Sequence, residues 1–464
     1  MAQKIKLVDI LMKYPQIRFI KCQFTDIQGN IREVTVTMEQ LLGTGTTSVD
    51  GSSVFGKIIP PTESDMVLVP DLSTFCPIPW LPDTARVICD IYHPPKKQGA
   101  PLEPFKASPR GVLRSLTKKM NKTLKKEVQR RYPNATVKKI KAQFAPEVEF
   151  LLVPEEYDYL KIYLDSKIKG YHYFISPKER EDKALKEMLE FLGIMGLKKE
   201  KYHTEVTDYQ HEIGFGHDDI MVIADGVMTI KYVVEAIAKQ YGFRVSFIPK
   251  FKADVNGSGM HVHQNLAAVI SRVVKGKVIE ETKNIFFDKR RKNCLSMLGE
   301  NYIAGLLKYA REITAITNRL PISYKRLVPD AEAPTYVYFD WLNRTALARG
   351  HSEGTNKIRV EYRAPDPTCN PYLAFAAMLA AGLAGIKEKL RLKSCRRKRN
   401  LYKDHEGVLS LPGNLLEALS LMKGSRMLRS SLGNFIINAL LKLGDEEWRR
   451  FSREITAEDI KNYF

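Results

Sequence analysis

The chain has 464 residues, 44% of them hydrophobic and 27% charged, with a formal net charge of +20. That mix excludes wholesale disorder and is enough to bury a large core in two or more domains. The positive excess brings nucleic acid to mind as a partner, but it concentrates in Lys118 to Lys141 and Lys387 to Lys403. In the first stretch Leu113, Leu116, Met120, Leu124 and Val128 recur at helical spacing, which turns its lysines into the solvated face of an amphipathic helix. A surface that favours anionic ligands such as nucleotides is the simpler reading, and nucleic acid is not an expected partner.

In chain order, the opening MAQKIKLVDILMKYPQ lacks the apolar core of a signal peptide and predicts a helix around Leu7 to Tyr14. Alternation over Ile17 to Phe24 and Ile31 to Val36, with Asp26 to Asn30 between them, predicts a hairpin. Loops rich in Gly, Ser and Pro follow, then short strands at Met66 to Pro70 and Arg86 to Tyr92. The proline-rich Pro94 to Pro104 is the best linker candidate, which bounds a small domain at residues 1–105 and leaves 106–464 as a second region. Six cysteines (Cys22, Cys76, Cys89, Cys294, Cys369, Cys395) show neither CxxC pairs nor close histidine spacing, so a reducing cytoplasm is expected rather than a disulfide framework or a structural zinc site.

In the second region helices are predicted at Pro109 to Arg131, Lys183 to Met195, Asp218 to Tyr241, Cys294 to Thr317, Asn370 to Lys389 and Leu415 to Lys423. The run Tyr372 to Ile386 is too short and too rich in Ala and Gly to span a bilayer, and reads as a buried helix. Strands are predicted at Phe144 to Leu152, Tyr202 to Glu212, Val245 to Pro249, Gly259 to Leu266 and Lys357 to Ala364. Antiparallel strands with helices packed on one side make the fold class α+β.

The strand FAPEVEFLL carries the chemistry. Apolar Phe144, Val148, Phe150 and Leu152 share one face; Ala145, Glu147, Glu149 and Leu151 share the other, so two carboxylates point the same way about 7 Å apart. By itself this describes a solvated sheet face. Other segments supply partners: Glu205 and Glu212 in HTEVTDYQHE, His261 and His263 on one face of NGSGMHVHQN with two glycines that let backbone approach a ligand, and Lys357, Arg359, Glu361 and Arg363 on one face of KIRVEYR. Charges gathered on one face of several strands need neutralising, and divalent cations with an anionic substrate would do it. Carboxylates with an imidazole suit Mg²⁺ or Mn²⁺ better than zinc.

With these blocks in order, together with DGSSVFG, KYVVEAIAKQYG, SYKRLVPDAEAP, NRTALAR and VEYRAPDPTCNPYL, nearly the whole chain resembles type I glutamine synthetases of bacteria and archaea. The resemblance implies a small N-terminal β-grasp-like domain and a large catalytic domain with a curved antiparallel sheet backed by helices. It implies ATP-dependent ligation of ammonia to the γ-carboxylate of L-glutamate through γ-glutamyl phosphate. One metal site would use Glu149, Glu205 and Glu212, and a second Glu147, His261 and Glu361. Glutamate would be held by Asn256, Gly257, His263, Arg326 and Arg363; Arg344 and Arg349 would face the transferring phosphoryl group; Glu200, Asn265 and Arg359 would lie near the nucleotide. The ammonium pocket would comprise Glu332 with Tyr173 or Tyr171, and Asp50 and Ser53 from a neighbouring subunit, within a homododecamer of two hexameric rings.

The chain departs from the family pattern in places. It has His203-Thr-Glu205 where His-His-Glu is usual, Ile322 where an Asn is usual, and Gly350-His-Ser-Glu-Gly354 in place of an apolar continuation after Arg349. Lys57 or a neighbour replaces an arginine used for feedback inhibition in one subclass, and the residues after Asn400-Leu-Tyr402 differ from the pattern at an adenylylation site. Two other functions compete with glutamine synthesis: a γ-glutamyl-amine ligase of the same superfamily, which should have an altered ammonium pocket, and a non-catalytic homologue that senses glutamate or nucleotide, which would have no reason to keep all six metal ligands.

Overall fold

A computed structural model describes residues 2–97, 99–157, 173–197, 199–329, 333–392 and 398–456. Two sheets organise them. The N-terminal sheet has the order β2-β1-β5-β4-β3, built from β1 (Phe19–Thr25), β2 (Ile31–Thr37), β3 (Thr47–Asp50), β4 (Asp65–Ile78) and β5 (Leu81–His93), with β6 (Glu103–Pro104) on β5. The predicted hairpin is β1 and β2, antiparallel from Phe19 opposite Thr37 to Thr25 opposite Ile31. β1 runs parallel to β5. The last residues of the proline-rich stretch are thus tied down, with Tyr92 opposite Pro104.

The second sheet has the order β14-β15-β16-β12-β7-β9-β8. Its members are β7 (Thr136–Pro154), β8 (Lys199–Thr204), β9 (Gln210–Phe215), β12 (Met260–Val274), β14 (Phe339–Trp341), β15 (Ala348–His351) and β16 (Arg359–Tyr362); β10 (Asp218–Asp219) and β11 (Phe243–Ser246) also pair with β7, and β13 (Lys277–Asn284) with β12. All pairings are antiparallel except β14 with β15. The even-numbered residues of β7 behave as alternation requires: Phe144, Val148, Phe150 and Leu152 are fully buried. Helices Pro109–Gln129 and Ile220–Gln240 pack against that face, and Phe144 meets Phe375 of the helix Pro371–Lys387 at 5.3 Å between ring centroids. The opposite face of β7 is left for the carboxylates.

Local chemistry sets the helix starts. Ser108 caps Pro109–Gln129 by accepting from the Gly111 N–H, with proline at the position that needs no donor. Asn370 caps Pro371–Lys387 through the N–H groups of Tyr372 and Leu373. That helix is buried on nearly every side, which explains its uniformly apolar sequence, and no helix among the described residues is long and apolar enough to cross a membrane. Gly305 and Gly385 let it cross the helix Met297–Lys308 at backbone contact; a Cβ on Gly305 would lie 2.3 Å from the Ala381 carbonyl oxygen.

Three element predictions need correction. The helix expected over Cys294 to Thr317 is two, Met297–Lys308 and Ala310–Thr317, separated at Tyr309 (φ −99°, ψ 7°) because the first packs on Pro371–Lys387 and the second on Leu415–Gly424. The strand expected over Tyr202 to Glu212 is the antiparallel pair β8 and β9, turned through Tyr209 at φ 66°. The helix expected from Asp218 starts at Ile220, since Asp218 and Asp219 pair with β7 and Asp219 becomes the cap.

Candidate active site

Register brings the polar residues together. Across β7 and β9, Glu149 lies opposite Glu212; across β7 and β12, Glu147 lies opposite His261. Glu361 of β16 lies opposite His263 of β12 and opposite Arg349 of β15. Directly opposed residues in an antiparallel pair point to the same face with Cβ atoms about 5 Å apart, so five strands deliver their charges to one side. There a cavity of about 820 Å³ is lined by Glu147, Glu149, Glu205, Glu212, His261 and Glu361, all six residues expected to ligate metal. The same lining includes Asn256, Gly257, His263, Arg326 and Arg363, and also Tyr173, Arg344, Arg349 and Arg359.

The electrostatics divide the floor in two. On one side, burial and then the charges of Glu205 and Glu212 push the Glu149 carboxyl well above its usual range, although it accepts from the Gly259 N–H at 2.9 Å and from Gln210 at 3.0 Å. Burial, then Glu212, raises Glu205 to about 7. On the other side, burial opposes ionisation but the imidazoles of His261 and His263 outweigh it and hold Glu147 below the carboxylate range. Glu361 is likewise held low: burial is outweighed by His351, Arg363 and the histidines of β12. Burial and Arg363 depress His261, which keeps its imidazole neutral and able to ligate. Three carboxylates crowded so closely that two resist ionising, beside a carboxylate–histidine–carboxylate group whose donor atoms lie within 4.8 Å of one another, fit hard divalent cations with oxygen-rich coordination.

Arginines stand among these carboxylates. Arg349 reaches Glu361 at 3.2 Å and Arg363 reaches it at 3.0 Å. Buried Arg326 donates to the Ala364 carbonyl at 2.8 Å, and Arg363 donates to the Arg344 carbonyl. A cavity lined by carboxylates and by the five guanidinium groups of Arg326, Arg344, Arg349, Arg359 and Arg363 can hold cations and a polyanion side by side.

Some expected residues lie elsewhere. Asp50 caps the short helix Gly51–Phe55 and is fully exposed; hydrogen bonds from the Ser53 and Ser52 hydroxyls draw its carboxyl down to about 2, and neither Asp50 nor Ser53 lines the cavity of its own chain. Asn265 is buried in β12 opposite Gln143 and does not line the cavity, so its expected place beside a nucleotide has no support here. Lys357 is exposed, because β16 begins only at Arg359. The Cβ directions of Gly257 and Gly259 are filled by protein, a Cβ lying 2.3 Å from the Pro249 carbonyl oxygen at the first and 2.6 Å from the Arg326 guanidinium at the second, while Gly257 itself still lines the cavity. Tyr171 and Glu332 fall outside the described residues, as does the side chain of Glu200.

Lys201, His217 and His351 of the cavity lining, and His203 beside it, escaped the sequence reading. Lys201 and His203 lie on the face of β8 that carries on to Glu205, and their i, i+2 spacing was there to be used. Lys201 Nζ is 3.1 Å from Glu212 and 3.8 Å from Glu147; His203 is 3.2 Å from Glu212. His351 follows Arg349 by two residues and reaches Glu361 at 2.6 Å. His217, lowered to about 4 by burial and the nearby His263, closes the same wall. The Lys201 ammonium lies between the two carboxylate groups and opposes a cation there, an effect that solvent around this half-exposed side chain screens to about 1–2 kcal/mol. Lys201→Met should therefore lower the divalent-ion concentration needed for half-maximal thermal stabilisation by roughly tenfold; an unchanged titration midpoint would show that the lysine swings clear at no cost.

Residues 16–94 match the family profile described as the glutamine synthetase β-grasp domain, and residues 109–463 match that of the glutamine synthetase catalytic domain. The chain belongs to the glutamine synthetase family. Glutamine synthetase of Methanosarcina mazei is 36% identical over 464 residues, covering 97% of this chain and 96% of that protein; glutamine synthetase of Thermotoga maritima is 34% identical, covering 99% of both. Solved structures of GmaS without ligand and in its ADP complex superpose with TM-scores of 0.79 and 0.80 over 98% of this chain and 99% of theirs, at 24% and 23% identity, a likeness of fold alone. The expectations of this family, of an α+β fold with an N-terminal β-grasp domain and of a ligase are thus borne out. Use of ATP and a divalent metal is what the glutamine synthetase family implies, and the donor set described above fits it.

Proposed function

We propose that the protein joins ammonia to the γ-carboxylate of L-glutamate at the expense of ATP, releasing glutamine, ADP and phosphate. The observation that carries this reading is the convergence of Glu147, Glu149, Glu205, Glu212, His261 and Glu361 on one cavity that five arginines also line. Glu149, Glu205 and Glu212 would hold one Mg²⁺ or Mn²⁺, and Glu147, His261 and Glu361 another. Bound there, the two ions would supply positive charge to the phosphates and to the glutamate carboxylate.

The chain's own residues align the reactants. Arg326 and Arg363, with His263 and the backbone at Asn256 and Gly257, bind glutamate so that a γ-oxygen faces the γ-phosphorus of ATP. That oxygen attacks in line, the bond to the bridging oxygen of ADP breaks, and Arg344 and Arg349 neutralise the charge on the moving phosphoryl oxygens, with Arg359 beside the nucleotide. Ammonia then attacks the γ-carbon of the acyl phosphate, phosphate leaves, and a proton is lost. Ammonium is not nucleophilic, so a negatively charged pocket must bind and deprotonate it. Glu332 and Tyr173 belong to this pocket, and Asp50 and Ser53 complete it from the neighbouring subunit of a ring assembly, which accords with their position outside the cavity of their own chain. The free cysteines among the described residues accord with work in a reducing cytoplasm.

Measuring ADP release with glutamate and Mg²⁺, and comparing ammonium with a panel of alkylamines and polyamines, tests the reading. Ammonium should give the highest kcat/KM. Preference for an amine would replace ammonia as the acceptor, and no turnover with any acceptor would make the protein a non-catalytic homologue. Asp50→Ala should lose most ammonium-dependent glutamine formation while keeping some glutamate-dependent ADP formation; equal loss of both would reject the role given to Asp50.

A further inference from the structure

β8 ends its sheet, and a lysine on an edge strand ordinarily faces water and discourages other strands from pairing. Lys201 is turned inward instead. It lies opposite Gly214 of β9, and Gly214 in turn lies opposite Glu147 of β7. Because Gly214 has no side chain, it leaves a gap in β9 that the lysine stem fills: a Cβ on Gly214 would lie 3.5 Å from Lys201 Cγ and 3.6 Å from Cε. The stem crosses there and brings Nζ to 3.1 Å from Glu212 and 3.8 Å from Glu147. The pairing of β8 with β9 also shifts register between Lys199 and Lys201, the kind of irregularity that re-aims a side chain beside a site.

Nζ thus stands between the group Glu149, Glu205 and Glu212 and the group Glu147, His261 and Glu361. An ammonium carries three N–H donors. Glu212 accepts one, and His203 Nε2 lies 3.3 Å away. The side chain is half-exposed and lines the cavity, so a donor remains for a ligand there. Arg344, Arg349, Arg359 and Arg363 come from the segment 344–363, whose strands lie at the far end of the same sheet. Lys201 brings a positive charge to the cavity from the near end.

We infer that Lys201 is a further catalytic residue, whose ammonium binds a non-bridging oxygen of the transferring phosphoryl group. The inference rests on the reading of this cavity as a phosphoryl-transfer site. A phosphoryl group shared by two cation sites lies between them, and so does this ammonium. While the γ-carboxylate oxygen of glutamate bonds to phosphorus and the bond from phosphorus to the bridging oxygen of ADP breaks, charge is spread over the three other oxygens. The ammonium donates a hydrogen bond to one of them and keeps all its protons. A compact point charge on a flexible stem suits a group that moves during the step.

Calorimetric titration of inorganic phosphate into the full chain, at saturating Mg²⁺ and ADP, tests the contact, and kcat for glutamate-dependent ADP release tests its part in the reaction. Lys201→Met keeps the stem and removes the charge. It should weaken phosphate binding by roughly tenfold to a hundredfold, the scale of one charge-assisted hydrogen bond, and lower kcat by a similar factor. ADP affinity should stay within about threefold of wild type. Lys201→Arg should recover part of both losses, and thermal melts establish that the variants are folded. Phosphate affinity and kcat within about threefold of wild type in Lys201→Met overturn the inference and leave Lys201 as a counter-ion of the carboxylates. Equal weakening of phosphate and ADP overturns it as well, because the lysine would then act on the whole nucleotide site. Lys201-dependent phosphate binding by a wild type that releases no ADP with any acceptor upholds the contact and overturns the phosphoryl-transfer reading instead.

Discussion

Glu361→Gln should abolish glutamate-dependent ADP release, with a fall on the order of 10³-fold, the scale set by removing one preorganised charged group from a phosphoryl-transfer or acyl-transfer site. The substitution keeps the side chain's shape and removes one negative charge. Glu361 is buried, with Arg349, Arg363, His261 and His351 all within 3.7 Å. Losing its charge therefore has two effects. One cation loses a ligand, and two guanidinium groups lose the carboxylate that sets their direction. His261→Ala attacks the same cation without disturbing the arginines, so it separates the two effects: both variants should lose turnover, but only Glu361→Gln should also weaken retention of an ATP analogue in the absence of metal. Differential scanning with and without Mg²⁺ supplies a second readout, because wild-type stabilisation by the ion should shrink in both. Turnover within tenfold of wild type in either variant would remove Glu147, His261 and Glu361 from the mechanism.

The parts of this site that were legible in the sequence are those governed by the two-residue period of a strand. Glu147 with Glu149, His261 with His263 and Glu361 with Arg363 could each be assigned to one face before any pairing was known, and all six line the cavity. What period alone cannot give is which strand lies beside which. The step from separate motifs to one centre came from family likeness and is explained by register: Glu149 against Glu212, Glu147 against His261, Glu361 against His263. Segments whose conformation is set by distant packing were misread. Nothing local marks the break at Tyr309, whose hydroxyl is engaged by Glu388 on another helix at 2.5 Å. His351 was passed over because it sits in a short strand inside a segment rich in glycine, where no alternation is long enough to register.

Arg110→Ala should cost about 3–5 kcal/mol of stability, the usual result of removing one member of a buried ionic group. Arg110 is 5% exposed and donates to Asp225 at 2.8 and 2.9 Å, to Asp90 at 3.0 Å and to Asp71 at 2.9 Å. Asp71 and Asp90 belong to the N-terminal sheet, Arg110 and Asp225 to helices that back the second sheet, so one guanidinium ties the two sheets' layers together. Without it three aspartates converge on a cavity with Arg114 as the remaining cation, at 3.0 Å from Asp71. Arg18→Ala is the control: its partner Asp83 is 2.7 Å away, but the arginine side chain is 72% exposed and should matter by less than about 1 kcal/mol. Acid titration gives the second check. Burial works against ionisation of Asp71, but Ser73 and Arg110 outweigh it and bring the carboxyl down to about 2 from 3.8. A carboxyl lowered on folding stabilises the native state above its unfolded value and loses that contribution as pH falls toward the folded one. Wild-type stability should therefore decline between about pH 4 and pH 2 on this account, and the decline should be shallower in Arg110→Ala. Equal denaturant midpoints for the arginine variants, or parallel acid profiles for Arg110→Ala and wild type, would mean that the two layers are held by their apolar contact and not by this ionic group.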